Sequence, residues 1–348
     1  MEKTLKDISW NVTEEVYRKD KALSYSTLAK YEREGFNNLR HLFDKVTSPS
    51  LLFGSCVDTL ITGSQEDFES LFIVVPDNLI PSDTLVIITK LLWDRYHTQI
   101  KSLDELSDLA LLTPISDITW NNHWLPKTRA AKIRTECNSY YKLLFDCKGK
   151  TLIGTTLYQE VLNTVESLKN SDATKYYFAP NNPFDGIERY YQLKFKATFN
   201  NINYRCMADL IVVIPDQKLV VPVDLKTSSH TEWDFYKSFI EWSYQIQSRL
   251  YWRIIRANMD KDPYFKDFEL ANYKFIVANK KTLTPLVWDF PLTKEKGDIT
   301  LGRNNQIVLR DPFTIGQELN TYLNDSPKVP NGISLSQPND LIQWINKL

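Results

Sequence analysis

Two aspartates and a lysine stand in runs that otherwise have the character of buried strands. Asp209 sits in MADLIVVI, and Asp224 and Lys226 sit two positions apart in KLVVPVDLK. The tetrapeptide Pro215-Asp216-Gln217-Lys218 between the runs is turn-like, so the simplest hairpin pairs Ile214 with Leu219. In that register Asp209 and Asp224 fall opposite each other, and Lys226 shares their face because strand side chains alternate with period two. Two carboxylates about 5 Å apart repel by roughly 3 kcal/mol at an effective dielectric near 20. A divalent cation reverses the sign of that term. Hard oxygen ligands suit Mg²⁺ or Mn²⁺, and Lys226 can orient or deprotonate a water and offset charge developing on a phosphorane-like transition state. The ordinary alternative is a salt bridge between Lys226 and one acid on a half-exposed sheet. Pro222 cannot donate to a ladder, and a bulge there would shift the register by one and separate the acids.

Other residues could serve the same chemistry. In FIEWSYQIQSRLYWRII the apolar spacing is helical, and Gln247 and Tyr251, four apart, share a face with Ile240, Tyr244 and Ile254. Such a face can be plain amphipathic core, or it can buttress Lys226 and touch a substrate phosphate. Asp58, on the apolar segment LLFGSCVDTLI, must be paired, solvent-facing or a metal ligand, because an unpaired charge there would cost several kcal/mol. Thr227 and Ser228 follow the lysine, where hydroxyls either bond phosphate oxygens or close a turn. Basic residues at Lys127, Arg129, Lys132 and Arg134, and at Lys30, Arg33 and Arg40, could track a nucleic-acid backbone, but such runs are more often solvated helix faces.

The elements that must position these residues follow from pattern. The chain has 348 residues, 43% hydrophobic and 13% aromatic, which is ample for a sizeable core. Its 42 basic and 43 acidic residues nearly cancel, against a protein that coats nucleic acid by charge alone. No signal-like or membrane-length apolar run is present, so a cytoplasmic protein without a membrane association is expected. The four cysteines include no C-x-x-C pair and are expected to be reduced, structural thiols. The histidines at 41, 97, 123 and 230 are too dispersed for a zinc cluster, and the GKT at 149–151 lacks the upstream glycine of a phosphate loop, so no ATP site is expected.

Ser24-Tyr25-Ser26 should cap a helix running to Gly35, and a second helix covers Leu51 to Ile61. Helical spacing dominates 76–175, notably Leu85 to Tyr96, Ala130 to Phe145 and Leu157 to Leu168. From Tyr190 the runs YYQLKFKATF, MADLIVVI and KLVVPVDLK are strand-like; a long helix from Thr231 to about Arg256 follows, then strands YKFIVAN and TPLVWDF. Closing helices are expected within Thr314 to Leu323 and Asp340 to Leu348. No composition break forces a boundary, so the chain is expected to be a single domain, 1–348. Within it, 20–75 forms an N-terminal helical part of the core, 76–175 a helical insert, 185–290 a catalytic sheet with its helix, and 291–348 the C-terminal helices.

Taken in order, Gly54-x-x-x-Asp58, Asp209, Asp224-Leu225-Lys226 and Gln247-x-x-x-Tyr251 resemble the PD-(D/E)XK nuclease superfamily, in its RecB-like and phage-exonuclease branch, over roughly 24 to 290. The resemblance implies an α/β (α+β) fold, a mixed central β-sheet flanked by helices, with a restriction-endonuclease-like core and a helical insert. It implies that Asp209, Asp224 and the Leu225 carbonyl bind Mg²⁺ or Mn²⁺, that Lys226 serves the nucleophilic water, and that Gln247 and Tyr251 support the site and contact DNA. Two departures stand out: Ala208 replaces a proline before Asp209, and Asp58 occupies a position that is histidine in many relatives, where it could still ligate a metal. No cysteine follows Cys206, which excludes the iron-sulfur cluster of some relatives. The implied function is a metal-dependent DNA exonuclease of phage type that resects ends for recombination or replication. Its expected partners are DNA and a single-strand annealing or recombination protein, and a homo-oligomer is compatible with the sequence. The alternatives are a structure-specific or restriction-type endonuclease, and a non-catalytic nuclease-fold DNA-binding module.

Overall fold

A computed structural model describes residues 3–35, 39, 41–43, 49–182, 184–279, 281–302 and 306–325. The chain divides into two compact units, one of residues 1–46 and 168–348 and the other of residues 47–167. The chain begins with helices α1 (Glu14–Lys19) and α2 (Tyr25–Glu34). Gly35 ends α2 with φ +63°, its amide donating to the Tyr31 carbonyl as a helix C-terminus requires. Ser24 stands at the N-cap position, but its hydroxyl meets those of Ser26 and Thr27 at 2.9 and 3.2 Å and makes no cap to a helix amide.

The unit of residues 47–167 is mostly helical. Its elements in chain order are α3 (Pro49–Thr62), α4 (Gln65–Leu71), β1 (Phe72–Val75), α5 (Asp83–Tyr96), α6 (Asp108–Leu112), α7 (Pro126–Asp146), β2 (Thr151–Gly154) and all but the last three residues of α8 (Thr155–Asn170). Leu85, Ile88 and Leu92 of α5 meet Ile133, Cys137 and Tyr141 of α7 in a dry core, which is the spacing that predicts both helices. The parallel pair β1–β2 is absent from the sequence expectation, since four residues per strand are too few to stand out from a helical pattern.

The remaining elements belong to the other unit: α9 (Lys175–Phe178), β3 (Glu188–Phe199), β4 (Ile202–Ile214), β5 (Leu219–Ser228), α10 (Phe235–Glu241), α11 (Tyr244–Met259), β6 (Glu269–Leu270), β7 (Lys274–Asn279), β8 (Leu286–Asp289), β9 (Ile299–Leu301), β10 (Ile307–Leu309) and α12 (Pro312–Asp325). Its central sheet has the order β3-β4-β5-β7-β8, with β6 paired to β5. The β3-β4-β5 and β7-β8 ladders are antiparallel and the β5-β6 and β5-β7 ladders parallel, so the sheet is mixed, with helices flanking it as expected. Ile246, Leu250 and Ile254, each four apart on α11, join Phe195, Cys206 and Ile211 of the sheet in the main core.

The hairpin register is the expected one: Ile214 pairs with Leu219, and the ladder runs unbroken to Leu210 and Val223. Pro222 pairs with Ile211 without a bulge. The irregularity falls on the other edge of β5, where the partner changes from β6 at Val220↔Leu270 to β7 at Val223↔Lys274. Pro222 stands in that gap, where no ladder bond on that edge is lost by a missing N–H.

The single helix expected from Thr231 to about Arg256 is two helices, α10 and α11. They part at Trp242 and Ser243, and Ser243 has φ +53°. The helix expected at Thr314 to Leu323 is α12, and that at Asp340 to Leu348 lies outside the described residues. No described helix is long and apolar enough to cross a membrane. All four cysteines are free and buried.

Candidate functional site

Asp209, Asp224, Lys226 and Gln247 come together where the β4–β5 ladder ends. Asp209 is one residue beyond the last pair, and its Oδ2 accepts the Leu225 amide at 3.0 Å, so a side chain takes the place of the next ladder bond. Asp224 is fully buried. Its Oδ1 accepts from the Gln247 amide nitrogen, and its Oδ2 lies 2.5 Å from the Lys226 ammonium. That second contact is an ion pair without hydrogen-bond alignment, so Oδ2 accepts no hydrogen bond among the described residues. Gln247 Oε1 is likewise buried without a partner among them, and so is the Tyr273 hydroxyl. Native interiors rarely leave such atoms unsatisfied, and the Gln247 oxygen and Tyr273 hydroxyl in one neighbourhood need a reason.

The strand bearing Asp209 is irregular at that residue. On β4 the residues joining the core are Ile202, Tyr204, Cys206 and Ala208, and then Ile211 and Val213; on β3 they are Tyr190, and then Leu193, Phe195 and Ala197. The alternation therefore changes step at Asp209 and at Gln192. These two are the one pair missing between Tyr191↔Leu210 and Leu193↔Ala208, and Gln192 has φ +53°. A left-handed glutamine in mid-strand costs on the order of 1–3 kcal/mol and persists only where its surroundings dictate it. Here it accompanies the turning-out of a carboxylate from the ladder.

Lys226 is held from two sides. Asp224 lies at its head, and the Tyr244 ring lies 4.8 Å from the ammonium. Burial pulls the lysine pKa down, but Asp224 and then Tyr244 and Asp209 outweigh it, and the ammonium is held well above its usual range. Burial, with Asp224 and Asp209 nearby, likewise holds the Tyr251 and Tyr273 hydroxyls neutral, far above the usual phenol value. Tyr251, 7% exposed, and Gln247, 4% exposed, form the floor beneath the carboxylates. Tyr25, Tyr244 and Tyr273 complete the surroundings. Of these, the amphipathic spacing of α11 signals Tyr244, while Tyr25 and Tyr273 arrive from separate elements and leave no local signal.

Thr227 and Ser228 end β5, paired with Ala278 and Asn279, and the Ser228 hydroxyl accepts the His230 amide at 3.0 Å, as in an ordinary turn. Asp58 is half-buried on α3, in the unit of residues 47–167. On α7, Lys132 pairs with Glu136, and Arg134 with Asp108 at 2.8 Å, as on a solvated helix face.

The oxygen-only donor set fits a hard divalent cation. Asp224 is fully buried with Lys226 against its Oδ2, and Asp209 shares their neighbourhood. Among the described residues no group of three or more histidine, cysteine or acidic side chains could hold a metal. Mg²⁺ does not require one: it retains several waters and is commonly held by one or two carboxylates.

No family model matches the chain, and no curated protein matches it. Among solved structures it is similar to a crystal structure named "Putative exonuclease" from Eubacterium rectale, at 13% identity and a TM-score of 0.38, over 100% of this chain and 88% of that one. So distant a likeness carries no inference about activity.

Proposed function

We propose that the unit containing the mixed sheet is a divalent-metal-dependent nuclease that hydrolyses DNA phosphodiester bonds. One observation carries the reading: a fully buried carboxylate, ion-paired with a lysine, set near a second carboxylate at the end of a ladder. Neighbouring anions of this kind are unfavourable by themselves and become favourable around a cation.

Asp209 and Asp224 would hold Mg²⁺ or Mn²⁺. The Leu225 carbonyl would join them, since its amide faces Asp209 and the two polar groups of one strand residue project from the same edge. The ion supplies Lewis acidity toward a phosphate oxygen and an acidified water. The chain's own residues do the rest. Gln247 fixes the rotamer of Asp224 from below, and Tyr251 keeps bulk water from the floor. Lys226, its ammonium facing the Tyr244 ring, would orient the water and offset charge on the phosphoryl group. Asp58 is not needed for this assignment.

The finer form of the activity, an exonuclease resecting ends in recombination, rests on the order of the motifs. An annealing or recombination protein as partner and a cytoplasmic setting belong to that same proposal. Asp224→Ala and Lys226→Ala should each lower Mg²⁺-dependent cleavage by about 10²–10³-fold or more while leaving the protein folded. Undiminished cleavage in either variant removes the assignment. End-labelled linear DNA compared with closed circular DNA separates an exonuclease, which spares the circle, from an endonuclease, which does not.

A further inference from the structure

The connection from β5 to α11 exposes aromatic rings that a soluble surface ordinarily hides. Trp233 is 85% exposed, Tyr236 59% and Trp242 43%. Trp242 is held through its backbone. It sits at the break between α10 and α11, where its amide donates to the Ser238 carbonyl at 3.0 Å and its carbonyl accepts the Tyr25 hydroxyl at 2.7 Å. Ser243, next in the chain, has φ +53°, a conformation that serine adopts only where the surroundings impose it. The break thus fixes the Trp242 backbone while leaving much of its ring in water. Tyr244, one residue further on, is the residue whose ring faces the Lys226 ammonium.

A cation accompanies the ring. The Arg33 guanidinium lies 5.0 Å from the Trp242 ring centroid, on an exposed side chain that makes no ion pair among the described residues. Earlier in the connection Lys237 lies 5.8 Å from the Tyr236 ring, its ammonium paired with Asp234 at 2.7 Å, so Arg33 is the cation that remains for a phosphate. Fixed aromatic rings with cations beside them match the two needs of a single strand, a platform for an unpaired base and a positive charge for its phosphate. Bases within a duplex are already stacked on each other and cannot use such a platform.

We propose that Trp242 and Arg33 form a stacking seat for an unpaired base beside the Lys226 site, so that this unit takes single-stranded DNA. The proposal rests on the DNA reading above, but it concerns binding and can stand or fall without cleavage.

The test is the anisotropy of a fluorescein-labelled oligo(dT) and of a labelled blunt duplex, each titrated with the full chain in EDTA. Trp242→Ala should weaken oligo(dT) binding about 5- to 100-fold and leave duplex binding unchanged, the range expected for losing one stacked base. Trp242→Phe should retain most of the affinity. Trp242→Leu, which keeps bulk but not the π face, should not, and this pair decides the matter if the alanine variant fails to fold. Arg33→Ala should weaken oligo(dT) binding and reduce its salt dependence by about one counterion. The proposal is overturned if wild type fails to bind oligo(dT). It is equally overturned if Trp242→Leu binds as tightly as wild type, or if single-strand and duplex affinities fall together. Cleavage by wild type with unaltered binding in Trp242→Leu removes this seat alone. Absent cleavage with binding that depends on Trp242 removes the nuclease reading and leaves the seat.

Discussion

Gln247 and Arg249 stand two residues apart on α11, and each reaches a buried aspartate, yet the clusters they build are opposite in kind. Arg249 is 1% exposed. Its guanidinium meets Asp311 at 3.2 Å and the carbonyls of Glu295, Gly297, Leu309 and Arg310, and only its Nε lacks an acceptor among the described residues. Asp311 also accepts the Gly297 and Phe313 amides at 2.8 and 2.7 Å. This cluster ties α11 to the segment before β9, to β10 and to the start of α12, and its acid is fully used. The Gln247 cluster has the reverse character: an amide oxygen and a tyrosine hydroxyl are left over among the described residues, a second acid stands near the first, and a strand changes step where that second acid sits. The contrast teaches where the fold closes its polar groups for stability and where it leaves them open for something else.

The largest difference should appear on substitution. Arg249→Met leaves Asp311 buried without its counter-ion and should destabilise by about 3–5 kcal/mol, read as a lower urea midpoint. Asp224→Asn keeps the Gln247 contact and relieves the repulsion with Asp209 but takes the counter-ion from Lys226, which Asp209 still faces, so it should destabilise by less than Arg249→Met, while cleavage is lost. Equal losses of stability in the two variants would erase the distinction.

Metal addition should sharpen it. An ion that binds only the folded chain stabilises by about 2.7 kcal/mol at a hundred times its dissociation constant. Mg²⁺ should therefore raise the melting temperature of wild type and, from a lower starting point, of Arg249→Met. It should leave Asp224→Asn where it was. A shift in Asp224→Asn as large as in wild type would place the ion elsewhere.

Most of this architecture is legible in the sequence, because the sheet is written in strong period-two and apolar runs and the helices in period 3.6. The Ile214–Leu219 turn brought the acids together in sequence arithmetic, since Pro215 and Lys218 mark a tight reversal and β5 is apolar on both faces up to Asp224. What escaped depends on contacts between distant segments. The helix break at Ser243 has no proline or glycine to announce it and is stabilised from α2 by the Tyr25 hydroxyl. The inversion at Gln192 lies in a strand whose composition is unremarkable, and the expectation that the acids pair directly across the ladder missed that Asp209 bonds the Leu225 amide instead. Short strands such as β1, β2 and β6 exist only because a neighbour offers hydrogen bonds.

The smallest expected effect separates the two clusters by titration. Lys226 has its pKa raised on folding, chiefly because Asp224 outweighs the cost of burial. Below the ordinary lysine value of about 10.4, folded and unfolded chains both hold the proton, and the ion pair contributes fully. Above it the unfolded chain gives up its proton while the folded chain keeps it, so stability falls as pH rises toward the folded-state value. The guanidinium of Arg249 remains charged through that window. Between about pH 9.5 and about pH 11, then, the urea midpoint of Lys226→Met should decline less steeply than that of wild type, whereas Arg249→Met should keep the wild-type slope from its lower starting point. A wild-type slope in Lys226→Met would mean that the ammonium is not held by Asp224, and the lysine would then be free to act as a base.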